Sequence, residues 1–197
     1  MHLAFDIFQG IGIAAAVGIR PFLPGLAVGA LAAGNVGIHF DHTSYAFLQE
    51  APFLLVMLVG AVMLVVLERG IWSSRLRNQP WVSVLVLISL ALGALLFAGA
   101  LAQGGHAAWP GWIGGVVCAA VGIAASRPFL ARVRERLDAA DASIGLPVIA
   151  DGFALLTAVL SVVAPPVGVV ALLWLLWLLW RGRGRDQQKY AGLRILR

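Results

Sequence analysis

A chain of 197 residues in which 61% of side chains are hydrophobic and only 12% charged has too little polar surface to solvate a water-soluble domain of that size. Its mean hydropathy of +0.93 points to lipid as the solvent. The formal charge of +5 would suggest nucleic acid in a soluble protein. Here the Lys and Arg residues lie between apolar runs, which assigns them to membrane topology and anionic lipid headgroups and speaks against nucleic acid as a partner.

A hydrocarbon core about 30 Å thick takes about 20 apolar residues per helix, and the pattern predicts one all-α, polytopic membrane domain over residues 1–197 with about six spans. Met1 to Gly10 holds Asp6 and no Lys or Arg, unlike the charged start of a cleaved signal peptide, so the first apolar run is expected to be retained. That run, Ile11 to Gly34, contains Arg20-Pro21 and Pro24, which predict a broken helix. A polar segment from Asn35 to Glu50 follows, without Lys or Arg. The second run, Ala51 to Leu67, opens with Pro52 at a tolerated first-turn position and leads into a basic segment, Glu68 to Pro80, with Arg69, Arg75 and Arg77. The third run, Trp81 to Leu101, ends at the short loop Gln103 to Gly111, flanked by Trp109 and Trp112 as expected near a membrane interface.

The fourth run, Trp112 to Ser126, ends at Arg127-Pro128. Cys118 lies within it among Val117, Ala119 and Ala120, and as the only cysteine it reads as a small packing residue. From Phe129 to Gly145, Phe129, Leu130, Val133, Leu137 and Ala140 recur at helical spacing opposite Arg132, Arg134, Glu135, Arg136 and Asp138, which predicts an amphipathic helix on the membrane surface. The fifth run, Pro147 to Ala164, holds Asp151 about one turn inside. Pro165-Pro166 turns the chain into the sixth run, Val167 to Trp180, and a basic tail occupies 181–197.

With six spans the basic segments after runs two, four and six share one side, and the positive-inside rule makes that side cytoplasmic. Both termini are then cytoplasmic in a cell inner membrane, with Asn35 to Glu50 and Gln103 to Gly111 outside. A re-entrant hairpin over Ile11 to Gly34 would change that parity.

Ala14-Ala15-Ala16-Val17-Gly18-Ile19-Arg20-Pro21-Phe22-Leu23 recurs as Ala119-Ala120-Val121-Gly122-Ile123 and, three residues on, Arg127-Pro128-Phe129-Leu130. If each copy opens a set of three spans, residues 10–101 and 111–180 form a 3+3 inverted repeat, an arrangement found in secondary transporters. Composition supplies the competing explanation, since only Arg-Pro-Phe-Leu is informative in so Ala- and Gly-rich a chain.

Arg20 is the outstanding ionisable residue, because a guanidinium in an apolar run faces a cavity or a partner. Beside the break at Pro21 it either binds a carboxylate or phosphate, or pairs with a carboxylate such as Asp151 or Glu68 and locks the fold. Arg127, at the second copy of the motif, joins Arg20, Pro21 and Asp151 as a candidate binding residue. A carboxylate in an apolar run could move protons, but the shallow position of Asp151 favours an interfacial pair with Arg132 or Arg136. His39, Asp41, His42 and His106 are of metal-ligand type but match no strong motif. No cofactor is implied, and no catalytic motif points to an enzyme. Gly25 to Gly29 and Gly111 to Gly115 permit close helix approach, by default as packing within the bundle, and the same faces could join copies in a homo-oligomer.

The run Gly10-Ile-Gly-Ile-Ala-Ala-Ala-Val-Gly-Ile-Arg-Pro-Phe-Leu-Pro24 and the ending Lys189-Tyr-Ala-Gly-Leu-Arg-Ile-Leu-Arg197 resemble a bacterial family of integral membrane proteins known as domain of unknown function 4126. The resemblance covers essentially the whole chain and implies a membrane location without an activity. Two functions follow as expectations. One is a transport-type protein contacting an anionic solute or lipid at the broken first helix. The other is a non-transporting scaffold that docks a partner or anionic lipid through its basic segments.

Overall fold

The computed structural model describes residues 2–70, 80–134 and 139–191. They form seven α-helices: α1 (His2–Ile19), α2 (Phe22–Ala33), α3 (Ala51–Gly70), α4 (Pro80–Gln103), α5 (Trp109–Arg134), α6 (Ala139–Val163) and α7 (Pro166–Ala191), with a 3-10 turn at Ala46–Gln49. No strand occurs among the described residues, so the all-α class holds. Val82–Gln103, Trp109–Leu130 and Gly145–Val163 are long and apolar enough to cross a membrane, and Leu3–Ile19, Phe22–Ala33, Ala51–Leu67 and Pro166–Arg181 are shorter apolar helices. Together they mark a membrane protein.

The bundle is arranged around α1, against which α4, α5, α6 and α7 all pack. Ile13, Ala14, Ala15, Ala16 and Val17 are fully buried there. In lipid the acyl chains are as apolar as the side chains, so association depends on close van der Waals contact, and small residues permit it. A Cβ on Gly18 would strike the carbonyl of Ala119, and one on Gly122 would strike that of Ala15. Gly12 meets Ser161 of α6 and Gly168 of α7 in the same manner, and Gly93 of α4 meets Gly115 and Ala119 of α5.

These contacts also fix direction. Gly10 packs on Phe97 and Gly93 on Ala119 and Ala14, so α1 and α4 are antiparallel. Gly111 lies on Ala98 and Gly115 on Ala94, which makes α5 antiparallel to α4 and parallel to α1. Phe22 packs on Gly60, Gly25 on Met57 and Gly29 on Leu54, so α2 and α3 are antiparallel. One end of the bundle gathers the start of α1, the polar segment 34–50 and the loop 104–108. The other gathers the ends of α3, α5 and α7, where the arginines lie; these are the loop end and the basic end.

The first apolar run is therefore the hairpin of the two readings, not a broken span. Arg20 N–H donates to Ala16 O at 3.1 Å, completing the last turn of α1. Pro21, with no N–H, begins the reversal, and α2 returns toward the loop end. At 12 residues α2 is about 18 Å long, too short to cross the bilayer alone.

Two further expectations are affected. The hairpin restores the chain to the loop end, so the two Ala-Ala-Val-Gly segments run parallel and cross each other at Gly18 and Gly122, which gives no support to an inverted repeat. The start of α1 and the end of α7 lie at opposite ends of the bundle. The separate surface helix is also absent from the described residues. Phe129 to Arg134 continues α5 through Pro128, and Ala139 to Gly145 opens α6, with residues 135–138 outside the described set. An interior proline removes one hydrogen bond and kinks a helix, and neighbouring helices allow it to continue. The basic segment 71–79 and residues 192–197 of the tail also lie outside the described residues, and α7 carries the tail as helix to Ala191.

Gly18→Val and Gly122→Val are expected to destabilise the bundle by about 1–3 kcal/mol each through overpacking. Gly145→Ala and Gly152→Ala, where an added Cβ meets nothing within 4 Å, should be neutral or stabilising by up to about 1 kcal/mol. Unfolding in mixed detergent checks the ordering; equal effects at the four positions would refute the central role of the α1–α5 crossing.

Candidate functional site

At the hairpin tip Arg20 Nε lies 3.1 Å from Asp151 Oδ1, with side chains 12% and 17% exposed respectively. Asp151 occupies the middle of the 25-residue α6, not its edge, because the helix begins at Ala139 instead of Pro147. Pro21 is buried beside the pair. Either charge alone would be costly at this depth, and each supplies the other's counter-charge. The side chains of Arg132 and Arg136, the expected partners of Asp151, lie outside the described residues. Arg127 is exposed on α5 and takes no part in the ion pair.

The same two helices are joined nearer the loop end. Gln9, almost fully buried, donates from Nε2 to Gly37 O at 3.1 Å and Val162 O at 3.4 Å. Gln9 precedes Arg20 by eleven residues, as Asp151 precedes Val162, so two polar contacts about three turns and ~16 Å apart clasp antiparallel α1 and α6. Sequence reasoning passed over Gln9, although its helical spacing from Arg20 places both on one face of α1.

Asp6 was also passed over. It is buried, and its Oδ2 lies 3.6 Å from His106 Nδ1, an ionic contact when the imidazole is protonated. Gly104 makes the approach possible, since a Cβ there would collide with the carboxylate.

The described residues do not bring three of the metal-type side chains together. His106 turns to Asp6, Asp41 accepts a hydrogen bond from Gln49 Nε2, and His39 and His42 are exposed on the loop. Among the described residues no three His, Cys, Asp or Glu side chains converge as a metal site would require. The loop is instead held by neutral bonds: Phe40 N–H to Gln49 Oε1 at 2.9 Å, His39 N–H to Gln103 Oε1 at 3.3 Å and Trp112 Nε1 to Tyr45 Oη at 3.0 Å.

Arg20→Ala or Asp151→Ala alone is expected to cost about 3–5 kcal/mol, because each leaves an uncompensated charge. The combined Arg20→Met, Asp151→Leu variant should recover most of that loss. Thermal unfolding of the three proteins tests this, and a double variant as unstable as the singles would contradict it.

A family model described as domain of unknown function (DUF4126) matches residues 7–184. No curated protein and no solved structure matches the chain. The family match takes in Gln9, the hairpin tip, Asp151 and all but the ends of α1 and α7, and the chain belongs to the domain of unknown function 4126 family.

Proposed function

We propose that this protein is a transport-type, multi-pass membrane protein in which an anionic group competes with Asp151 for Arg20. The observation that carries the reading is the ion pair at a half-length hairpin in the middle of α6. A guanidinium that already holds one carboxylate has the geometry to hold another carboxylate or a phosphate. Protonation of Asp151 would free Arg20 for the incoming anion. Its deprotonation on release would restore the pair, so that anion and proton move together. The pair also explains why an apolar hairpin carries an arginine at its tip: the charge is retained at a cost that packing alone would not require.

The positive-inside rule makes the basic end cytoplasmic. Carried over the observed helix directions, it puts the C-terminus inside and the N-terminus outside a cell inner membrane, together with segments 34–50 and 104–108. In a Cys118→Ala background, Leu3→Cys and Ser44→Cys are expected to react with an impermeant maleimide from the outside, and Ser74→Cys only after permeabilisation. Labelling of Leu3→Cys together with Ser74→Cys would overturn this orientation.

Function is tested in proteoliposomes with labelled acetate and labelled inorganic phosphate under an imposed proton gradient. The wild type should carry at least one probe about tenfold faster than the stable Arg20→Met, Asp151→Leu variant, and Arg20→Lys should keep part of the rate. Equal flux in wild type and double variant, or no proton-dependent flux of either probe, counts against the proposal.

A further inference from the structure

Toward the basic end, α5, α6 and α7 do not close on one another. They leave an apolar recess of about 180 Å³ whose walls include Ile19, Ala125, Phe129, Ala150, Trp174 and Leu178. Its one hydroxyl, on Ser126, is turned inward to Ile123 O at 3.2 Å, so the lining offers a guest no polar partner. Phe153 and Trp174 pack with ring centroids 5.3 Å apart and planes tilted by 48° and form one lip, and both are exposed. An apolar cavity of roughly 150 Å³ already stays dry and admits small apolar guests. In a protein solvated by lipid, the apolar guest at hand is an acyl chain.

The charge around the recess says which lipid. Trp174, Leu178 and Arg181 fall at i, i+4 and i+7, so the α7 stripe that lines the recess ends, toward the basic end, in a cation. Arg181 is exposed and lies over the Trp177 ring, 5.0 Å from its centroid. A slot with an apolar floor and cationic rim complements an amphiphile with an apolar tail and an anionic head.

We infer that the recess seats an acyl chain of an anionic phospholipid from the leaflet at the basic end, with Arg181 facing its phosphate. The recess adjoins the Arg20–Asp151 pair through Ile19 and Ala150, but the inference does not rest on the transport reading.

The test is native mass spectrometry of the full chain in detergent with phosphatidylglycerol and phosphatidylcholine of identical chains. Wild type should retain phosphatidylglycerol with about fivefold preference, the effect of one cation facing an anionic headgroup. Arg181→Gln should abolish the preference while leaving total bound lipid. Ala150→Phe, which fills the recess, should lower retention of both lipids, and Leu55→Phe on the exposed face of α3 should change nothing. If Ala150→Phe does not fold, Leu178→Trp fills the recess from α7 and is read in the same way. Equal retention of the two lipids by wild type overturns the inference, as does a folded, filled variant that still retains phosphatidylglycerol. Excess inorganic phosphate should leave the bound lipid in place, and displacement by it would assign the rim to free anions instead.

Discussion

Burial of α1 is the constraint from which the rest of the architecture follows. A helix surrounded by four others in lipid gains nothing from leaving water, so its stability comes from how closely its neighbours approach. Ala14, Ala15 and Ala16 are fully buried, and Gly12 and Gly18 lie where a single added carbon would meet backbone or side chain of α5, α6 or α7. The glycines of the partner helices, Gly93, Gly115, Gly122 and Gly168, meet α1 or one another at the same layers. Small residues here are a positional requirement, and the Ala and Gly richness of the chain has a mechanical reason.

Packing among small residues is permissive about register, because neighbouring Ala and Gly positions offer similar surfaces. The polar contacts remove that freedom. Gln9 with Val162 O, and Arg20 with Asp151, pin α1 to α6 at two points about three turns apart. A slide of one turn would separate the charges and leave each in apolar surroundings, at a cost of several kcal/mol. The pair thus specifies one alignment out of several that the small residues would tolerate. The same strength makes it a place where exchange of partner would be felt throughout the bundle.

Much of this was legible in the residues themselves. Long apolar runs with arginines confined to the connectors declare an all-α membrane chain, and Arg20-Pro21 declares a break. What the break does was not legible, because a proline that interrupts a span and one that reverses the chain look alike locally. The difference is made by Phe22 on Gly60 and Gly25 on Met57, contacts across more than thirty residues. Helix direction and the parallel relation of the two Ala-Ala-Val-Gly segments both depend on that one ambiguity. The pairing of Arg20 with Asp151 is one of the alternatives the sequence offers, and the start of α6 at Ala139 is hidden because Pro147, inside the helix, resembles a helix start. The histidines drew attention by residue type, whereas Gln9 and Asp6 did the joining and drew none.

The half-length α2 gives the molecule a taper. Phe22 meets the middle of α3 and Arg20 the middle of α6, so seven described helices fill the half of the bundle near segment 34–50 and five fill the half near the arginines. The described helices therefore take up more cross-section around segment 34–50 than around the arginines.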